Sequence, residues 1–72
     1  MVERGAVRLT VNGEMRVFDP ARTVAELVTS LGLDTRKVAV ELNLAIVPRS
    51  AYHSTPVTDG DRVEIVHFIG GG

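Results

Sequence analysis

Val7, Leu9 and Val11 alternate with Arg8, Thr10 and Asn12, the period of a strand with one buried face. Asn12-Gly13 follows, and because both residues tolerate positive φ the pair predicts a tight hairpin. The chain returns through Met15, Val17 and Phe18 to Asp19-Pro20, where proline cannot donate to a ladder and ends the strand. Thr23-Val24-Ala25-Glu26 has the form of a capping box, in which the threonine hydroxyl accepts the glutamate amide and the carboxylate reaches back. Val24, Leu27, Val28 and Leu31 then share one helical face, and Gly32 supplies a left-handed stop. A helix of about ten residues needs a sheet to pack on. Val38 to Leu42 reads as a strand broken at Asn43, and Ala45 to Val47 as a short one ended by Pro48. Residues 49–56 are expected to be irregular, with one helical turn around Ser50 to Tyr52. Asp59-Gly60-Asp61 marks a turn, and Arg62 to Phe68 forms the last strand before Ile69 and three glycines.

A hairpin, a helix and three further strands bury their apolar faces together most simply when the helix lies across one sheet. The helix also serves as the crossover that parallel neighbours require. The expected fold class is α+β: a ubiquitin-like β-grasp, with a mixed sheet of four to five strands and one main helix packed across it. Residues 1–69 are expected to form the domain and residues 70–72 a flexible C-terminal glycine tail. At 72 residues such a domain buries only about 60% of its unfolded surface. No cysteine staples it, so folding rests on ordinary packing, which a 44% apolar composition supports. No run is long enough to span a bilayer and no signal-like stretch opens the chain; a soluble cytoplasmic protein is expected.

Composition narrows the function further. Eight basic residues against nine acidic ones give a net charge of −1, without the basic excess that a nucleic-acid surface needs. Phe18, Tyr52 and Phe68 are too few to build base-stacking platforms. His53 and His67 have no cysteine beside them and no carboxylate pattern, so neither a nucleophile–base pair nor a metal site is expected. No glycine-rich loop precedes a helix. An independent enzyme is therefore not expected. Gly70-Gly71-Gly72 is the unusual feature. It fits a frayed terminus, and equally a tail that threads a channel too narrow for side chains. Fully extended, residues 67–72 reach on the order of 20 Å, enough to enter another protein's active site. There the Gly72 carboxylate would be a substrate. Alternation puts Val63 and Ile65 inward and leaves Val66 and Phe68 outward beside Ile69. These three either dock a partner or lie as ordinary surface residues.

The segment Asp59-Gly60-Asp61-Arg62-Val63-Glu64-Ile65-Val66-His67-Phe68-Ile69-Gly70-Gly71-Gly72 closely resembles the C-terminus of the ThiS family, sulfur carriers of the thiamine pathway. Val38 to Asn43, Ile46-Val47-Pro48-Arg49, Asn12-Gly13 and the helix start at Thr23-Val24 resemble the rest of that family. Only Met1 to Ala6 extend beyond it. The resemblance implies that a ThiF-type enzyme uses ATP to adenylate Gly72, with no cofactor bound by the carrier itself. It further implies that a sulfur donor such as a cysteine desulfurase converts the adenylate to a thiocarboxylate, and that thiazole synthase accepts the sulfur. The small subunit of molybdopterin synthase, or another ubiquitin-like sulfur carrier, shares the fold and the glycine pair. A non-covalent β-grasp interaction module with an inert tail is the alternative from a different class.

Overall fold

The computed structural model describes residues 6–19 and 22–68. Ile69, Gly70, Gly71 and Gly72 lie outside that range, as do residues 1–5, Pro20 and Ala21. Strands β1 (Val7–Val11) and β2 (Glu14–Phe18) form the expected hairpin. Helix α1 (Val24–Ser30) follows, then β3 (Val38–Leu42), β4 (Ala45–Val47) and β5 (Arg62–His67). The five strands make one sheet in the order β2-β1-β5-β3-β4. β5 runs parallel to β1 and antiparallel to β3, so the last strand in sequence is the middle strand in space.

Register follows from the turns. Asn12 and Gly13 both adopt positive φ (50° and 84°), as a two-residue hairpin connection demands. This pairs Val11 with Glu14, Leu9 with Arg16 and Val7 with Phe18. Phe18 therefore shares the buried face, whereas Met15 and Val17 stand on the other side and are exposed. The β3–β4 turn is built the same way, with Asn43 at φ 51° and Leu44 at φ 72°.

Both ends of α1 are closed. The Thr23 hydroxyl accepts the Glu26 amide, and the Glu26 carboxylate accepts the Thr23 and Arg22 amides. The two first-turn amides that this box leaves over find carbonyls in the chain after a 3-10 turn at Arg49–Ala51: Val24 donates to Thr55 and Ala25 to Tyr52, each at 2.9 Å. At the other end Gly32 takes φ 79° and the Leu33 amide returns to the Val28 carbonyl. The helix is seven residues long, shorter than its periodicity predicts, because this closure comes before Leu31 completes another turn. A 3-10 turn at Thr35–Lys37, capped by Asp34, then leads into β3.

The core lies between α1 and one face of the sheet. Val24, Leu27 and Val28 meet Leu9, Val38, Val40, Val63 and Ile65, all buried. Tyr52 and Val57 close the edge, and the Tyr52 hydroxyl donates to the Val38 carbonyl at 2.9 Å. Among the described residues no charged side chain is buried, so the core itself is held by apolar packing. Leu27, with no exposed surface, reports on that packing. Leu27→Ala is expected to cost about 2–5 kcal/mol in urea unfolding, a large share of a small domain's total; a loss below about 1 kcal/mol would place the core elsewhere.

Candidate functional site

Every sequence-derived site residue lies on β5 or after it, so the site is built by whatever holds that strand. On the β1 side Thr10 donates to the Asp61 carbonyl at 3.0 Å and Asn12 to the Val63 carbonyl at 2.9 Å. On the β3 side the ladder runs from Leu42↔Val63 to Val38↔His67, and the Phe68 amide donates to the Lys37 carbonyl at 2.8 Å. Two turn asparagines add side-chain bonds. The Asn12 carboxamide joins both backbone groups of Ile65, and the Asn43 carbonyl oxygen accepts the Arg62 amide at 2.9 Å.

The turn before β5 is pinned by carboxylates. Asp59 Oδ1 accepts the Arg8 amide at 2.7 Å, with the Arg8 guanidinium 3.4 Å from Oδ2. That amide, and then the guanidinium, lower the Asp59 pKa. Burial pushes Asp61 up, but hydrogen bonds from Asn43 Nδ2 and from the Thr58 amide and hydroxyl outweigh it and leave the carboxyl below its usual range. Farther off, hydrogen bonds from the Arg36 side chain and amide hold Asp34 at about 2.

Val66 and Phe68, expected to face outward, are exposed on the side of the sheet away from α1. Val66 is 60% exposed and Phe68 46%. The fold adds Ile46, 79% exposed, and Ala39, which pairs with Val66 across β3 and β5. Glu41 and Glu64 sit opposite each other in register within this patch, and neither forms an ion pair among the described residues. Adjacency across strands had no signal in the sequence. The outward turn of Ile46 did, since it alternates with Val47. Ile69 and the glycines 70–72, named from the sequence, lie outside the described residues.

His53 and His67 are both exposed. Among the described residues no group of three or more His, Cys, Asp or Glu could hold a metal, and no helix is long and apolar enough to cross a membrane. Surface cavities of about 230 and 160 Å³ fall short of the ~300–1,000 Å³ of ligand pockets.

A mixed five-stranded sheet gripping one helix, with its last strand at the centre, defines a ubiquitin-like β-grasp domain. The chain belongs to the ThiS family, whose family model matches residues 9–72. It is 42% identical over 50 residues to the sulfur carrier protein ThiS of Bacillus subtilis, covering 69% of this chain and 76% of that protein. A crystal structure of the thiamine biosynthesis protein ThiS from Geobacter metallireducens superposes with a TM-score of 0.76 at 42% identity, covering 92% of this chain and all of that one. A thiazole synthase of Paramagnetospirillum magneticum is 56% identical over 66 residues, which are 92% of this chain. The chain spans only 20% of the length of the thiazole synthases it matches.

A carboxyl whose pKa is lowered by folding stabilises the folded chain while it is ionised. That contribution is complete above the unfolded carboxyl range near ~4 and is lost as pH falls through the lowered values of Asp59, Asp61 and Asp34. Urea stability is therefore expected to be level from neutrality to about pH 5 and to decline below about pH 4. Asp59→Asn should lower the plateau and flatten the decline. Stability that rises on acidification below pH 4 would contradict this arrangement.

Proposed function

We propose that this chain is a sulfur carrier of thiamine biosynthesis, working through the main-chain carboxylate of Gly72. The observation that carries the reading is the extent of the family match, which runs on through all three glycines to residue 72 from a strand fixed at the centre of the sheet. Residues 1–69 act as the body and 70–72 as the part that enters a partner's active site.

The chemistry follows from what a bare carboxylate needs in order to accept sulfur. Its oxygen is a poor leaving group, so a ThiF-type enzyme binds ATP and lets the Gly72 carboxylate attack the α-phosphorus. Pyrophosphate departs and an acyl-adenylate forms. A persulfide, charged by a cysteine desulfurase, attacks the carbonyl and expels AMP. A thiol then cleaves the resulting acyl disulfide, releasing the Gly72 thiocarboxylate and a disulfide on the donor side. The thiocarboxylate sulfur is a soft nucleophile that remains tethered while thiazole synthase takes it. Support for that last partner comes from relatives that are themselves thiazole synthases. The chain's own contribution is the unhindered glycine end, the strand that holds it out, and a docking face of Val66, Phe68 and Ile69 extended by Ile46. ATP stays with the activating enzyme, and the setting for this chemistry is the cytoplasm.

Incubation with the adenylating enzyme, ATP and a persulfide source, followed by intact-mass measurement, tests the reading. The expected result is replacement of one oxygen by sulfur in the full chain, and no gain after deletion of Gly72 with the circular dichroism spectrum unchanged. Equal modification of the truncated chain would end the proposal. For the docking face, Val66→Ser is expected to change stability by less than about 1 kcal/mol, since the side chain is exposed. It should also raise the dissociation constant for the adenylating enzyme by about tenfold. An unaltered constant would remove this face from docking.

A further inference from the structure

Among the described residues, β5 is hydrogen-bonded on both sides only as far as Ile65. β1 pairs with it at Thr10↔Arg62 and Val11↔Val63, and the Asn12 amide makes the last main-chain bond, to the Val63 carbonyl. The main chain of Asn12 then turns away into the hairpin at φ 50°. Its side chain supplies the next rung: Oδ1 accepts the Ile65 amide at 2.8 Å, and Nδ2 donates to the Ile65 carbonyl at 3.1 Å. A primary carboxamide carries the same donor and acceptor as a peptide unit, so both groups that Ile65 directs toward β1 are satisfied. From Val66 onward the backbone bonds and pairings described are on the β3 side, at Ala39↔Val66, Val38↔His67 and Phe68 to Lys37.

We infer that Asn12 is a positioning residue for the reaction at Gly72, an inference that rests on the carrier function proposed above. Without its carboxamide, the end of β5 would be tethered along one edge and free to swing about it. Ile65 to Phe68 spans about 10 Å in an extended strand, so a swing of roughly 6° displaces the exit of the strand by about 1 Å. A misplacement of that size at the reacting atoms can lower a rate by about a hundredfold, and the loss expected here is smaller because the glycines before Gly72 permit compensating rotations. Asn12 lies outside the docking face, on the side of β5 away from β3 and β4, and the β3-side pairing of Val66 and the Phe68 bond to Lys37 that present the face do not involve it, so the effect should fall mainly on the chemical step.

The chain carries its own control. Asn43 also sits in a two-residue hairpin turn, at φ 51°. Its carboxamide clamps β5 at the opposite end, through the Arg62 amide at 2.9 Å and Asp61 Oδ1 at 3.0 Å. Glycine accepts positive φ at either position, so Asn12→Gly and Asn43→Gly each remove a carboxamide clamp and keep the turn. A purely stabilising role predicts the same kinetics for both once each is measured well below its unfolding temperature.

The experiment is single-turnover sulfur loading at saturating adenylating enzyme, with the dissociation constant and amide hydrogen exchange measured alongside. With Asn12→Gly the loading rate is expected to fall about tenfold or more, the dissociation constant to stay within about twofold, and the Ile65 amide to exchange at least about tenfold faster. With Asn43→Gly rate and affinity should both stay within about twofold of the original chain. An unchanged rate in Asn12→Gly, an equal loss in both variants, or a loss that weaker binding accounts for would each overturn the inference. Failure of the unsubstituted chain to load sulfur bears instead on the carrier function.

Discussion

The pairing of β5 between β1 and β3 is the interaction on which the rest depends. It joins the hairpin to the β3–β4 pair, it places Val63 and Ile65 beneath α1, and it sets the course of the chain as far as Phe68. Parallel pairing with β1 brings residues from the two ends of the sequence together, so the loop-closure entropy has to be offset by contacts made late in the chain. The structure concentrates hydrogen bonds there. Arg8, Thr10 and Asn12 all bond to the turn before β5 or to β5 itself, and Asn43 closes the same strand from the other side.

Local signals in the sequence specified most of the elements. Asn12-Gly13 fixed the hairpin, Thr23 and Glu26 the helix start, and Gly32 its stop, because each device acts within a few residues. The outward placement of Met15 and Val17 was also available. A two-residue turn after Val11 puts Glu14 on the side of Leu9 and Val11, which fixes the parity of every later residue in β2. Other features had no local signature. The Tyr52 and Thr55 carbonyls that cap α1 come from a segment that sequence alone presents as irregular. The side-chain roles of Asn12 and Asn43 look like turn propensity until the sheet order is known. For the site, Val66 and Phe68 stand exposed as alternation predicts, whereas Ala39 beside Val66 emerges only once β3 pairs with β5.

The two faces of the sheet have separate tasks. One is consumed by the core and α1. The other carries an apolar patch on β3, β4 and β5 that surrounds the facing carboxylates of Glu41 and Glu64. Like charges directly opposite on a sheet destabilise it modestly. That cost, together with exposed Ile46 and Val66, fits a surface whose form is set by what it meets rather than by folding. In the carrier function proposed above, the strand that bears the patch also precedes the glycines in sequence, which would couple docking to delivery.

An NMR titration of isotopically labelled chain with the adenylating enzyme tests that coupling directly. Amide signals of Ile46, Val66 and Phe68 are expected to change together with those of Gly70, Gly71 and Gly72, while Glu26, Thr29 and Ser30 on the exposed side of α1 keep their positions. Perturbation centred on α1, with the open sheet face and the glycines unaffected, would contradict it.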